Sequence, residues 1–240
     1  MKSPILITGC ARSGTSMTAG VVNICGAHGG HTSPATIYNK KGMFENADIR
    51  NDLVKPLLQT LGVDPMAQHP LPDVNLFKEL DGAEWREKIE KIFKEQGVGE
   101  DDTWFYKGAK MCLMWPLWNA AFPDAKWIIV RRRSKEIVNS CMRTGFMKAF
   151  DKEEGWQGWI LQHVERFNEM LHADLNLIEV WPQEMIDGQF SEMQSVIEWL
   201  DLEWKEAEVR EFVSPNLWNE GKVVVNDKII AEAFDKGRLG

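Results

Sequence analysis

The stretch Ile5-Leu6-Ile7-Thr8-Gly9-Cys10-Ala11-Arg12-Ser13-Gly14-Thr15-Ser16 decides the fold. Its apolar start, Ile5 to Thr8, reads as a short buried strand, and Thr15 to Cys25 reads as the helix after it, ended near Gly26. The turn between them, Gly9 to Ser16, has the G-x4-G spacing of a phosphate loop. Glycines there let backbone N–H groups and the helix N-terminus face an anion. The lysine that reaches the β- and γ-phosphates in NTPases is absent, with Thr15 in its place, so triphosphate chemistry loses its main charge contact. A nucleotide carrying one 5′ phosphate group needs less. The bland alternative is a glycine turn capping a helix with Ser and Thr, and the strand before and helix after favour the phosphate site.

Outward from this unit, a Gly-rich stretch from Gly26 to Gly42 leads into a helical pattern with Ile49, Leu53, Leu57, Leu58 and Leu61 on one face. Pro56 is expected to kink it. Val63 to Pro72, with three prolines, reads as loop. Strands are expected at Trp104 to Lys107, Trp127 to Arg131 and Leu177 to Val180. Helices are expected near Met111 to Ala121, Lys135 to Arg143 and Trp156 to Ala173. The alternation predicts a single α/β domain over residues 1–240, with a parallel central sheet flanked by helices. Ligands of such sheets lie beyond the carboxyl ends of strands, which directs attention to the residues after Thr8, Phe105 and Val130. All three places carry cations nearby.

A chain of 240 residues with 44% hydrophobic and 27% charged composition can bury a full core, which argues against disorder. Its 28 Lys and Arg against 36 Asp and Glu give a net charge of −8, so nucleic acid is not expected as a partner. Any anionic ligand must be gripped locally. The four cysteines, Cys10, Cys25, Cys112 and Cys141, have no metal-type spacing and suggest no disulfide framework, which fits a reducing cytosol. No metal site, signal segment or membrane span is expected.

The second cationic place follows the strand Trp127 to Val130, where Arg131-Arg132-Arg133 precede a helix carrying Ser140. An NTPase would favour an aspartate near such a strand end. Three arginines suggest a second anion instead, with a guanidinium fork for phosphate oxygens and a hydroxyl on the next helix as donor. The alternative is a solvated charge run.

Together these motifs resemble the sulfotransferases that use 3′-phosphoadenosine 5′-phosphosulfate (PAPS), a family with a P-loop NTPase-like fold. Their [RK]-S-G-T-[ST] loop is matched by Arg12, Ser13, Gly14, Thr15 and Ser16, implied to hold the 5′ phosphosulfate. Their arginine after a strand, with a serine eight positions later, is matched by Arg132 and Ser140 and implied to hold the 3′ phosphate; Arg131 would pair with Asn139. The bacterial and carbohydrate-type branch is the more similar. Its K-G-x-x-E segment resembles Lys41-Gly42-Met43-Phe44-Glu45, and its K-D-P-R segment resembles Lys107-Gly108-Ala109-Lys110, ahead of Pro116-Leu117-Trp118. The resemblance implies PAPS as sulfuryl donor, 3′,5′-adenosine bisphosphate (PAP) as product, and a carbohydrate or small-molecule hydroxyl as acceptor.

Sulfuryl transfer needs an in-line hydroxyl, a base for its proton, and cations where charge gathers on the leaving phosphate. The expected catalytic residues are Arg12 for the leaving group, Lys107 for orientation and Glu45 as base. A surface lysine beside Tyr106 and a glutamate favoured by a helix dipole are the competing explanations of the last two. His28 and His31 are rival bases. Trp156 and Trp159 read as core packing rather than a sugar platform. The tail Lys236-Gly237-Arg238-Leu239-Gly240 resembles a K-G-x-x-G loop but reads as a frayed end. Two further functions stay open: a phosphate-loop kinase of a small metabolite, and an adenosine-phosphate-binding module that has lost catalysis through the altered Gly108-Ala109 segment.

Overall fold

A computed structural model describes residues 1–36 and 39–213; the expectation about the tail lies outside them. Strand β1, Ile5–Gly9, is buried at all five positions because both faces of the sheet are covered. Leu6 points into one apolar core, and Ile5 and Ile7 point into a second core on the opposite face. The helix that follows, α1, is Thr15–Ile24. The pattern after Gly42 becomes a π-helical turn, Ile49–Val54, running into α2, Lys55–Thr60. Pro56 stands at the start of α2, so the expected kink takes the form of a change of helical pitch where the proline cannot donate a backbone hydrogen bond.

Helix α3, Gly82–Glu95, was not anticipated from the sequence. Asp81 caps it by accepting from the backbone N–H groups of Ala83 at 2.8 Å and Glu84 at 3.2 Å. Trp85, Ile89 and Phe93 then bury one stripe against the larger core. After it come β2, Phe105–Lys107, a 3₁₀ turn, Ala109–Met114, and α4, Trp115–Ala121. The single helix expected over Met111 to Ala121 is therefore two pieces. Pro116 opens the second, where its fixed φ suits a first helical turn. Strand β3, Lys126–Val130, α5, Ser134–Met142, α6, Glu153–His172, and β4, Leu177–Val180, fall close to the expected positions. Helices α7, Gln183–Ile186, α8, Ser191–Trp199, and α9, Glu206–Phe212, complete the described chain.

The four strands are parallel and ordered β2-β1-β3-β4. The chain leaves β1 toward β2 on one side and returns to β3 on the other, so a crevice opens beyond the carboxyl ends of β1 and β3. Gly9 pairs with Val130 at this point. A β-carbon on Gly9 would lie 2.5 Å from the Val130 carbonyl oxygen and 2.8 Å from Ser13 Oγ, and the residue has φ +156°. Trp156 and Trp159 are buried and packed edge to face at 5.7 Å. Their indole N–H groups donate to the carbonyls of Phe150 and Ala67. All four cysteines are free and buried, and among the described residues no helix is long and apolar enough to cross a membrane.

Helix α6 also carries His163, 1% exposed, whose Nδ1 lies 2.8 Å from the Trp159 carbonyl oxygen. A carbonyl only accepts, so Nδ1 carries the proton and Nε2 keeps its lone pair. Burial lowers the histidine pKa to about 4, against the raising effect of the Trp159 carbonyl. The unfolded chain takes up this proton near pH 6.5 and the folded chain does not until near pH 4. Stability is therefore intact above pH 6.5 and falls through that window by roughly 3 kcal/mol. His163→Gln should flatten this part of the melting-temperature profile between pH 6.5 and 4; an unchanged acid slope would show that the ring titrates normally. Gly9→Ala should cost on the order of 2–3 kcal/mol in denaturant unfolding, because backbone rather than a flexible side chain blocks the new methyl.

Candidate active site

The crevice beyond β1 and β3 is a cavity of about 490 Å³, a size suited to a small ligand. Its floor is the loop between β1 and α1, Gly9 to Ser16, read above as a phosphate loop. Thr8 braces that loop by donating from Oγ1 to the Gly108 carbonyl at 3.0 Å and accepting from the Cys112 N–H at 3.0 Å. The Gly108 N–H in turn donates to the Ile7 carbonyl at 3.0 Å. The ends of β1 and β2 are thus locked together. Gly14, at φ +104°, starts α1, and the first-turn N–H groups of Thr15 and Ser16 have no partner within the helix, so they are available to an anion. Thr15, Ser16, Gly14 and Arg12 line the cavity. Ser13 does not. Its side chain is fully buried under the loop, its N–H donates to the Cys10 carbonyl, and its Oγ has no hydrogen-bond partner. The Ser16 hydroxyl donates to the Met43 carbonyl at 3.1 Å, tying the loop to the segment that carries Glu45.

Arg12 has the left-handed φ of +73°, unusual for a residue with a side chain. Contacts from the second cationic place hold it there. Arg132 donates from one terminal nitrogen to the Arg12 carbonyl at 3.0 Å and from Nε to Glu136 at 2.8 Å. Arg12 donates from Nε to Ser140 Oγ at 2.9 Å. Arg12, Arg132 and Ser140 all line the same cavity. Arg131 turns the other way, ion-paired with Glu179 at 2.9 Å and lying over Phe167. Arg133 is exposed ahead of α5.

Glu45 lies in an extended segment, not in a helical first turn. Its carbonyl accepts from the Ser33 N–H at 2.8 Å, and Asn46 bridges back to Thr32. The side chain is buried, with Oε2 3.7 Å from Lys107 Nζ and 3.8 Å from an Arg50 terminal nitrogen. Lys107 is therefore an interior residue, 4% exposed, rather than a surface lysine. Burial lowers its pKa from the usual lysine value, the Glu45 carboxylate opposes that, and Arg50 and Arg12 add to it. Among the described residues eight cationic side chains line the cavity and Glu45 is its one carboxylate, so the cavity is locally positive in a chain of charge −8.

His28 and His31 are exposed in the preceding loop and do not line the cavity. Lys41 donates to the Glu211 and Phe212 carbonyls at 3.0 and 2.6 Å, closing the C-terminal end of α9. Sequence reasoning missed Arg50, Lys55 and His163 as cavity residues. Lys55 lies one helical turn after Asn51, and Arg50 follows Glu45 by five residues, a weak signal. His163 had only its place on the tryptophan face of α6.

The profile of the sulfotransferase family matches residues 4–206. No curated protein matches the chain. Among solved structures, it resembles sulfotransferase STF1 from Mycobacterium tuberculosis H37Rv, at 14% identity over 100% of this chain and 77% of that one, with a TM-score of 0.54. The sulfotransferase domain from the Synechococcus PCC 7002 olefin synthase is 15% identical over 100% of this chain and 96% of that one, with a TM-score of 0.55. STF9 from Mycobacterium avium is 16% identical over 98% and 76%, with a TM-score of 0.55. At these identities the structures speak for the fold, and the family profile for kinship. With a four-stranded parallel sheet, a phosphate loop without the NTPase lysine and a match over most of its length, the chain belongs to the sulfotransferase family.

Proposed function

We propose that the chain transfers a sulfuryl group from PAPS to a hydroxyl of a small-molecule or carbohydrate acceptor and releases PAP. The observation that carries this is the contact of Arg12 with Ser140, which makes two anion-binding places into one cavity. An adenosine with phosphates at 5′ and 3′ needs two such places, and a nucleoside triphosphate needs the lysine that this loop lacks. In this reading the N–H groups of Thr15 and Ser16, with Arg12, take the 5′ phosphosulfate. Ser13 acts beneath them by shaping the turn around Gly14. Arg132 and Ser140 take the 3′ phosphate.

PAPS supplies a sulfuryl group on a good leaving phosphate. As the acceptor oxygen bonds to sulfur, the bond from sulfur to the 5′ phosphate oxygen breaks, and the electron pair stays on that phosphate. Arg12 and the loop N–H groups stabilise the charge that gathers there. The acceptor proton goes to Glu45. Lys107, held beside Glu45, presents its ammonium group to the reacting centre and fixes the carboxylate. The altered segment does not speak against catalysis: Gly108 lacks a carboxylate, yet its backbone still binds Thr8 and Ile7 on both sides. Four unpaired, buried cysteines suit a reducing compartment such as the cytosol.

Transfer of labelled sulfate from PAPS to a hydroxyl panel tests the reaction. Glu45→Gln should lower kcat by roughly 10² to 10⁴ while PAP binding survives, as expected for a lost general base. A near-normal rate in this variant would remove Glu45 from the mechanism, and binding of Mg²⁺-ATP in preference to PAP would replace the reaction with a kinase's.

A further inference from the structure

Cations in the cavity exceed what the donor uses. The proposed donor contacts engage Arg12, Arg132 and Lys107, and Lys41 is spent on the carbonyls ending α9. Arg50 shares Glu45 with Lys107. Lys40, Lys55 and Lys110 are left, all lining the same cavity; Lys40 is exposed, and neither Lys55 nor Lys110 is within ion-pair distance of a described carboxylate. Lys55 Nζ donates only to Asn51 Oδ1, at 3.2 Å, and Lys110 makes no hydrogen bond to a described residue.

Lys110 lies three residues after Lys107, near the start of the 3₁₀ turn, and is half-buried on the cavity wall. That burial lowers its pKa, Glu45 opposes the effect, and Lys55, Arg50 and Lys107 each push it lower. A half-buried ammonium group that no described residue pairs, among three like charges, is costly unless an anion joins it. The strongest charges acting on Lys107 include Arg12, whereas those acting on Lys110 are Glu45, Lys55, Arg50 and Lys107. Arg50, Lys55 and Lys110 thus add a further group of cations to the wall of the same cavity. Met66, Leu113, Phe146 and Met147 add apolar surface to the wall, beside the polar Gln68 and His163.

Building on the proposed sulfuryl transfer, we infer that the acceptor is a small hydroxyl-bearing organic acid. Its acidic group is held by Lys110 and Lys55, and its apolar portion lies on Met66, Leu113, Phe146 and Met147. The hydroxyl is then presented to Glu45, between the two lysines and the donor. A neutral sugar would leave Lys110 unpaired and cover thioether and phenyl surface with hydroxyl groups.

Calorimetry on the PAP-loaded protein compares matched ligands: 4-hydroxyphenylacetate with its amide and with tyramine, and 10-hydroxydecanoate with its amide. The acid of at least one set should bind ten or more times as tightly as its neutral partner, with tyramine weakest. Lys110→Gln should abolish that preference with PAP affinity retained within a few-fold, and Lys110→Arg should restore it. Equal or weaker binding of the acids, no binding by either acid, or a preference that survives Lys110→Gln overturns the assignment. If PAP itself does not bind, the donor assignment falls and takes this one with it; PAP binding without acid preference removes the acceptor class alone.

Discussion

Arg12 donates across the cavity to Ser140 on α5, and Arg132 donates back to the Arg12 carbonyl. These two contacts join residues more than a hundred positions apart and set the distance between the loop after β1 and the start of α5. They also hold Arg12 in a backbone conformation that costs on the order of 1 kcal/mol or more when a side chain is present. Strain of this kind persists where surrounding contacts over-determine it. Here it turns the guanidinium group toward the cavity while Ser13 stays beneath the loop.

The rest of the site depends on the sheet that positions these groups. Order β2-β1-β3-β4 puts the switch in strand order between the parallel strands β1 and β3, and the lack of a side chain at Gly9 lets the two strand ends approach. Thr8, paired to Gly108 and Cys112, carries that rigidity to Lys107. Lys107 and Glu45 then compensate each other in a place where either alone would be an uncompensated buried charge. Loop, lysine and carboxylate are thus tied into one electrostatic unit.

The sheet and the cavity floor were legible in the sequence because each depends on local pattern. Continuous apolar runs marked β1 and β3, and glycine spacing with a missing lysine marked the loop. The eight-residue step from Arg132 to Ser140 was legible too, and the structure puts both side chains on the cavity with Arg12. Strand order was not, since nothing in a strand's own residues names its neighbour. Helix α3 was overlooked although Asp81 and the four-residue steps of Trp85, Ile89 and Phe93 were there to be seen. The burial of Lys107, the partnership of Glu45 with Arg50 and the lack of a described carboxylate beside Lys110 come from tertiary packing. Composition and spacing give a lysine no sign of whether it faces water.

The central claim is that one cavity holds a 5′ and a 3′ phosphate together through Arg12, Arg132 and Ser140. A calorimetric comparison of PAP with 5′-AMP on the same protein tests it most directly, because the two ligands differ only in the 3′ phosphate. Two charge-assisted hydrogen bonds contribute about 3 kcal/mol, so PAP should bind roughly a hundred times as tightly. Equal affinities would contradict the claim and leave the arginine after β3 without a phosphate to hold.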